Sequence, residues 1–203
     1  MLQSHQQASQ FLSELDDDWA QLIATVGECT FEPKPEREPY EALIRAVAYQ
    51  QLHGKAGDAI IRRFVGLFND TFPSPNQLLA SEFDALRACG FSGRKIETIF
   101  GIANGALTGL VPSREEADLM SDELLIQQLV ALKGIGQWTV EMLMMFTLAR
   151  MDILPVDDFA VVEGYKRLKK LPSAPKRKEM SEIAKDWSPY RTVASWYLWR
   201  VPK

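Results

Sequence analysis

Residues Leu132 to Asp158 read LKGIGQWTVEMLMMFTLARMDILPVDD and contain the clearest structural signals of the sequence. Before this stretch, a capping serine with two acidic residues predicts a helix start, and apolar residues then recur at helical spacing as far as Leu132. Gly134 and Gly136 interrupt this helix. Residues 138–150 are apolar almost all round, which predicts a second, largely buried helix. The pattern therefore predicts two helices joined by a short glycine hairpin.

A hairpin of this kind is suited to binding a phosphate. Glycine permits positive φ and the close approach of another chain's backbone. Amide groups at the start of a helix attract an anion without reading any base. An ordinary αα-hairpin with a glycine turn has the same pattern, because Gly-x-Gly by itself is a weak signal. At this point both interpretations stay open.

Two adjacent carboxylates end the stretch. Asp157 and Asp158 follow Pro155 and precede residues 159–162, FAVV, which read as the start of a further helix. Asp158 is therefore predicted to be the N-cap of that helix. Capping alone would account for an aspartate at this position.

The rest of the chain predicts an all-α protein of 203 residues in one domain, long enough for a sizeable core. Apolar residues recur at helical spacing over residues 7–27, 40–52, 56–68, 78–88, 95–109, 159–169, 176–187 and 189–200. No segment alternates in the manner of a β-strand.

Composition excludes several classes of protein. Cys29 and Cys89 are too few for a disulfide framework, which indicates a reducing cytoplasm, and too few for a four-cysteine iron–sulfur cluster. His5 and His53 are far apart in the sequence, which argues against a zinc site. The sequence shows neither an apolar run long enough to cross a membrane nor the pattern of a signal peptide.

The charge distribution is ambiguous. A net charge of −4 counts against a nucleic-acid partner, since many DNA-binding domains are basic. Basic residues nevertheless gather between 166 and 178. Such a run would let an acidic protein bind DNA through a local positive face. A solvated surface explains the same run equally well.

The segments LKGIGQWT (132–139) and LPVDDFAV (154–161) resemble the helix-hairpin-helix DNA glycosylases, most of all their 3-methyladenine DNA glycosylase II branch. The resemblance extends more weakly from about Pro39 to Trp199. It implies a two-lobed helical fold with the active-site cleft between the lobes. Lobe one would cover about 38–155, and lobe two about 1–37 plus 156–203.

The resemblance also implies that the hairpin grips DNA. The residues implied in this contact are Lys133, Gly134, Ile135, Gly136 and Thr139. Family hairpins often hold a monovalent cation, so a Na⁺ or K⁺ ion on the carbonyl groups of Leu132 and Gly134 is implied, with no other cofactor.

Asp158 is implied to be the catalytic carboxylate. The branch removes alkylated bases by cleaving the N-glycosidic bond after the base is extruded from the duplex. A cationic base leaves as a neutral molecule, so the main requirement is a fixed anion that stabilises an oxocarbenium-like sugar. The carboxylate would also orient the attacking water. Asp157 competes for this role, but the apolar spacing that leads to Val161 matches the family helix when it starts at Asp158.

Residues 50–54, QQLHG, resemble the family segment whose apolar side chain enters the duplex through the minor groove. Leu52 maps to this wedge, and Gln51 and His53 flank it as polar groove contacts. The alternative is that Leu52 is the last core residue of its helix.

Trp138 and Trp199 match aromatic positions of the family's base pocket, where aromatic faces hold a cationic purine. Tryptophan is also a common core residue. Met142 stands where a relative has tyrosine, which removes a hydroxyl and bears on the substrate range. Bifunctional relatives have a nucleophilic lysine at the position of Trp138, so the implied enzyme has no lyase activity and uses water.

The function implied by the resemblance is a monofunctional glycosylase of base excision repair. It would be a cytoplasmic monomer, associated with the nucleoid in a bacterium, that removes alkylated purines such as 3-methyladenine and 7-methylguanine from double-stranded DNA. The alternatives are a non-enzymatic helix-hairpin-helix DNA-binding module and a glycosylase for a different lesion.

Overall fold

The computed structural model describes residues 2–52 and 54–202, and within these ranges the structure is helical with no β-strand. This confirms the predicted all-α class. None of the helices described is long and apolar enough to span a membrane. The helices in these ranges are α1 (Leu2–Ser13), α2 (Asp17–Val26), α3 (Pro39–Tyr49), α4 (Gly54–Gly66), α5 (Pro75–Leu79), α6 (Phe83–Cys89), α7 (Gly93–Thr108), α8 (Arg114–Leu119), α9 (Asp122–Leu129), α10 (Gln137–Phe146), α11 (Phe159–Leu168), α12 (Arg177–Ile183) and α13 (Arg191–Leu198), with a 3₁₀ turn at Ala184–Trp187.

Several predicted helices differ from those observed. The single helix predicted over 78–88 is wrong, because α5 ends at Leu79 and α6 begins only at Phe83. Helix α8 was not predicted. The single helix predicted over 7–27 is wrong, because the helix is interrupted between α1 and α2. The Asp16 side chain caps α2 there by accepting the Trp19 N–H at 3.1 Å. The helix predicted over 40–52 ends at Tyr49, and Gln51 then takes a left-handed backbone conformation with φ +59°. The helix predicted over 138–150 stops at Phe146.

Residues 34–143 form one compact unit. Its aromatic centre is Phe64, whose ring contacts Phe68, Phe72 and Phe91 edge-on at 5.5–5.6 Å. Helices α3 and α7 pack against each other along buried aliphatic faces. The larger side chains fully buried on these two faces are Leu43, Ile44, Val47, Ile96, Ile99 and Ile102. Helix α7 also packs against α5 and α6.

Residues 1–33 and 144–203 form the other compact unit. Its core includes Trp19 and Trp187, whose rings meet edge-on at 5.4 Å. Helices α11 and α13 are in backbone contact at Gly164, where an added Cβ would lie 2.2 Å from the carbonyl oxygen of Leu198. Only glycine permits this approach, which brings the end of α13 against α11.

Candidate active site and nucleic-acid interface

Helices α9 and α10 are joined by a short glycine hairpin, as predicted. The turn is closed by the Leu132 N–H, which donates to Leu129 O, and by the Ile135 N–H, which donates to Leu132 O, both at 3.1 Å. The side chains of Leu132 and Ile135 are buried and anchor the turn. The side chain of Thr139 is buried as well, so in this structure its hydroxyl is not displayed at the surface.

The two hairpin glycines have different reasons to be glycine. Gly134 has φ +89°, and an added Cβ would lie 2.3 Å from Thr98 Oγ1 on α7. Gly136 has no positive φ, and an added Cβ would meet no atom within 4 Å. Gly134 is therefore required by the fold, whereas the open space at Gly136 lies at the start of α10, where helix amides attract anions.

Lys133 is displayed at the tip of the hairpin. Its side chain is 84% exposed, and its ammonium lies 2.8 Å from Glu97 Oε2. Hydrogen bonding and charge from Lys133 hold the pKa of the Glu97 carboxyl below its usual value. A phosphate that binds Lys133 must compete with this carboxylate, which is exposed and therefore a weak competitor.

The turn between α3 and α4 contains the predicted wedge. Leu52 lies outside the helix and is 43% exposed, with its N–H donating to Tyr49 O at 3.1 Å. Gln51 is exposed beside it, as expected of a groove contact. His53, predicted to flank Leu52 on the other side, lies outside the described residues. The exposure of Leu52 counts against its assignment to the core.

This turn is bonded to two other elements of the same unit. The Gln50 side-chain amide donates to Gly134 O in the hairpin at 3.2 Å. The Lys95 ammonium, from α7, donates to Ala48 O at 3.0 Å and to Gln50 O at 2.8 Å. Neither residue was singled out from the sequence, because each acts through a contact between residues 45 or more positions apart.

Helix α10 carries two of the predicted pocket residues. Trp138 is 44% exposed, and Met142, one turn further on, is half-buried. Between them on the helix, Glu141 is only 3% exposed and accepts a hydrogen bond from the Gln137 amide at 2.8 Å. At this exposure Trp138 is not a core residue, although tryptophan usually is largely buried.

Asp158 is held in a defined orientation at the start of α11. Its Oδ1 atom accepts the N–H of Val161 at 2.9 Å, so the predicted N-cap is confirmed. The same oxygen accepts the indole N–H of Trp199 at 3.0 Å. Asp157 points elsewhere: it is exposed and forms an ion pair with Arg177 at the start of α12. The structure thus joins Asp158 to a predicted pocket tryptophan and leaves Asp157 at the surface.

An aromatic pair lies beside this carboxylate. The ring of Trp199 stacks on Phe146 with centroids 6.0 Å apart and an interplanar angle of 17°. Phe146 is 36% exposed, and its ring also contacts that of Phe31, with the centroids 5.0 Å apart. Phe146 was not predicted as a site residue, because it lies in a helix segment that is apolar on every side and periodicity cannot single it out.

The loop before Asp158 is fixed to the start of α13. Asp152 receives two hydrogen bonds from the Arg191 guanidinium, at 2.7 and 2.9 Å, and one from the Ser188 hydroxyl. Burial raises the pKa of Asp152, but the hydrogen bonds and charge of Arg191 and Ser188 outweigh it, so the pKa lies below its usual value. The Thr192 hydroxyl also bridges the loop, donating to Arg150 O and accepting the Ile153 N–H. These contacts fix the loop that leads to Asp158 against the first residues of the helix that ends beside Trp199.

The hairpin carbonyl groups are chemically suited to the implied monovalent cation. Gly134 O accepts the Gln50 amide and Leu132 O accepts the Ile135 N–H, so each oxygen has one further lone pair. Elsewhere in the described part of the chain, no cluster of three or more His, Cys, Asp and Glu side chains is suited to a metal ion.

The basic run between 166 and 178 is partly neutralised within its own unit. Lys169 lies 2.6 and 3.0 Å from the carboxylates of Asp16 and Asp18. Lys166 lies 3.6 Å from Glu163, and Arg177 pairs with Asp157. These ion pairs give the run a structural function, and they favour the solvated-surface interpretation for the residues involved.

Comparison with known proteins gives one family match and several close relatives. The model of the HhH-GPD superfamily of base excision DNA repair proteins matches residues 44–189. DNA-3-methyladenine glycosylase 1 of Schizosaccharomyces pombe is 45% identical over 196 residues, which cover 95% of this chain and 85% of that protein. The alkylbase DNA glycosidase-like protein mag2 of the same organism is 40% identical over 201 residues, covering 98% of this chain and 94% of that protein.

The fold is shared with solved structures. The structure of the S. pombe 3-methyladenine DNA glycosylase in complex with abasic DNA superimposes with a TM-score of 0.86 at 44% identity. The superposition covers 96% of this chain and 95% of that one.

Proposed function

This chain belongs to the HhH-GPD superfamily of base excision DNA repair proteins, and we propose that it is a monofunctional glycosylase that removes alkylated purines from DNA. The resemblance predicted from residues 132–139 and 154–161 is thereby confirmed. The observation that carries the proposal is the Asp158 carboxylate, held by the Val161 N–H and the Trp199 indole beside a partly exposed aromatic stack. A module that only binds DNA has no need of this arrangement.

Asp158 is proposed to stabilise the positive charge of the sugar. An N-alkylated purine such as 3-methyladenine already carries a positive charge. When its N-glycosidic bond breaks, the bonding electrons go to the base, which leaves neutral, and C1′ becomes oxocarbenium-like. A fixed carboxylate near C1′ lowers the energy of this cation. Water then bonds to C1′ and loses a proton, and Asp158 is proposed to accept it.

The aromatic side chains are proposed to receive the cationic base. Trp199 and Phe146 offer a partly exposed aromatic surface next to Asp158. A cation over an aromatic face is stabilised by about 0.5–2 kcal/mol, which favours charged alkylpurines over neutral normal ones. Trp138 and Met142 are assigned to the same task by their family positions, and this assignment stays a prediction.

The hairpin is proposed to hold the DNA backbone. The amides at the start of α10, the open space at Gly136 and the exposed Lys133 together suit a phosphate. A Na⁺ or K⁺ ion on the carbonyl groups of Leu132 and Gly134 would add positive charge to this contact. The contact is independent of sequence, as repair of scattered lesions requires.

Leu52 is proposed to fill the gap left by the extruded base. Flipping a base costs a few kcal/mol of stacking and pairing, and an apolar wedge offsets part of this cost. The side chain is exposed at a turn of the unit that also carries the hairpin.

The position of Trp138 supports hydrolysis without strand cleavage. Relatives with lyase activity have an amine nucleophile at this position, and an indole cannot form a Schiff base. The proposed enzyme therefore leaves an intact abasic site in double-stranded DNA. It is proposed to act as a monomer in the compartment that holds the DNA.

Paired substitutions at the two aspartates test the catalytic assignment. Asn caps a helix about as well as Asp, and its side-chain oxygen accepts the same two hydrogen bonds, so Asp158→Asn removes only the charge. We expect normal folding, retained DNA binding and a loss of about 100-fold or more in single-turnover base release. Asp157→Asn is the matched control and should retain activity. Near-normal turnover by Asp158→Asn would contradict the assignment, and a large loss with Asp157→Asn instead would move it by one residue.

A further inference from the structure

The turn that carries Leu52 is held in a conformation that its own sequence does not favour. Gln51 has φ +59°, a region that costs a residue other than glycine about 1–2 kcal/mol. The last carbonyl groups of α3 also lack partners within the helix. A short exposed turn of this kind would be mobile unless other elements fixed it.

Lys95 and Gln50 supply the missing contacts. The Lys95 ammonium reaches two carbonyl oxygens at the end of α3, on Ala48 and Gln50, at 3.0 and 2.8 Å. A positive charge at this end of a helix is favourable, because the helix dipole is negative there. The Gln50 side chain then continues to Gly134 O in the hairpin at 3.2 Å. A continuous path of hydrogen bonds therefore runs from α7 through the wedge turn to the hairpin.

The partial burial of Lys95 also indicates that its contacts hold the turn in place. Lys95 is partly buried, and burial lowers its pKa. Placing an ammonium in such a site is unfavourable unless its hydrogen bonds compensate. An ordinary surface lysine would extend into solvent, whereas this one turns inward to the turn that carries the wedge.

We infer that Lys95 and Gln50 are positioning residues that fix the wedge turn to the hairpin, so that Leu52 and the phosphate-binding surface meet the duplex as one preorganised unit. The inference rests on the proposed function, since it concerns the flipping step of that reaction. A wedge that is ordered beforehand loses less conformational entropy when it enters the DNA stack. The path should therefore matter for stacked substrates and little for unstacked ones.

The experiment compares Gln50→Ala and Lys95→Met, each with Leu52 present and with Leu52→Ala. Single-turnover base release is measured on methylated duplex and on methylated single strands. We expect Gln50→Ala to slow release from duplex about 3- to 10-fold, as for the loss of one hydrogen bond, with little effect on single strands. Lys95→Met should slow it more, and Lys95→Arg should restore part of the loss. In the Leu52→Ala background neither substitution should have a further effect, because there is no wedge left to position.

Lys133→Met is the matched control, since its ammonium pairs with Glu97 and lies in the hairpin. Lys133→Met should slow base release from both duplex and single-stranded substrates, and this effect should persist in the Leu52→Ala background. Equal losses on both substrates for Gln50→Ala, or losses that add to that of Leu52→Ala, would overturn the inference. If Lys95→Met proves too unstable by thermal unfolding, Gln50→Ala still decides, because its amide is exposed.

A second readout separates this inference from the proposed chemistry. A duplex with 2-aminopurine next to a stable abasic analogue gains fluorescence when the wedge unstacks it, whether or not any base is released. Wild type should give a larger gain than Gln50→Ala at saturating protein. A chain that releases no base but keeps this difference would refute the glycosylase and retain the positioning path. Equal fluorescence would refute the path.

Discussion

Replacing each hairpin glycine by alanine should separate folding from DNA binding. For Gly134→Ala, the φ of +89° costs about 1–2 kcal/mol in a residue with a side chain. The new Cβ would also lie 2.3 Å from Thr98 Oγ1, so this side chain must move and give up its 3.0 Å hydrogen bond to Arg94 O. That bond contributes about 1 kcal/mol. We expect the free energy of unfolding to fall by about 2–3 kcal/mol in total.

Gly136→Ala should leave stability nearly unchanged and weaken DNA binding. Its Cβ meets no atom within 4 Å and its φ is not in the left-handed region. A small loss in helix capping and a small gain from a stiffer unfolded chain should leave stability within about 1 kcal/mol of wild type. The methyl group would occupy space at the start of α10, where the phosphate contact is proposed. Affinity for duplex DNA should therefore fall at least about tenfold, the equivalent of roughly 1.4 kcal/mol.

The assay pairs urea unfolding with fluorescence anisotropy on a duplex that contains an abasic analogue, at one fixed salt concentration. Thr98→Ala combined with Gly134→Ala should recover the part of the loss that comes from the close contact, but not the part that comes from φ. Wild-type affinity in Gly136→Ala would refute the phosphate assignment and favour an ordinary αα-hairpin. Wild-type stability in Gly134→Ala would refute the account of the turn.

Three further predictions concern the carboxylate, its support and the nucleophile. Trp199→Phe keeps an aromatic ring for the stack on Phe146 but loses the 3.0 Å hydrogen bond to Asp158. Base release should therefore slow by about 10-fold or more, as for the loss of one hydrogen bond to a charged group. When Asp158→Asn is also present, Trp199→Phe should cause no further loss. Asp152→Asn should lower the free energy of unfolding at pH 7 by about 1 kcal/mol, because the pair with Arg191 is one-third exposed. Since the folded-state pKa of Asp152 is below the unfolded one, its contribution is present above about pH 4 and disappears as the pH falls through the folded pKa, so urea melts of the two proteins should converge in acid. Borohydride treatment with abasic DNA should trap no covalent adduct, because Trp138 replaces the amine, and a stoichiometric adduct on one lysine would contradict this.

The features that could be predicted from the sequence are those that depend on residues close together in the chain. The capping role of Asp158 and the hairpin at Gly134 depend on residues within a few positions, so the pattern contains all the information. The break between α1 and α2 was missed because apolar spacing continues through it, from Leu12 to Trp19, and hides the cap at Asp16.

Contacts between distant residues could not be predicted. Trp199 and Asp158 are 41 positions apart, and no local pattern indicates that the indole N–H meets the carboxylate. Lys95 resembles an ordinary surface lysine at a helix start until the fold places it beneath the α3 carbonyl groups. The family resemblance gave the position of Trp199 but not the bond it makes.

The proposed glycosylase activity is tested by measuring the release of free base from methylated duplex DNA. The released bases are separated by chromatography, and the same DNA is run on a denaturing gel before and after alkali. We expect free 3-methyladenine and 7-methylguanine from the wild-type protein, with the strand intact until alkali is added. DNA that is bound without release of any base would contradict this expectation and indicate a binding module, and strand cleavage before alkali would contradict the water-based mechanism.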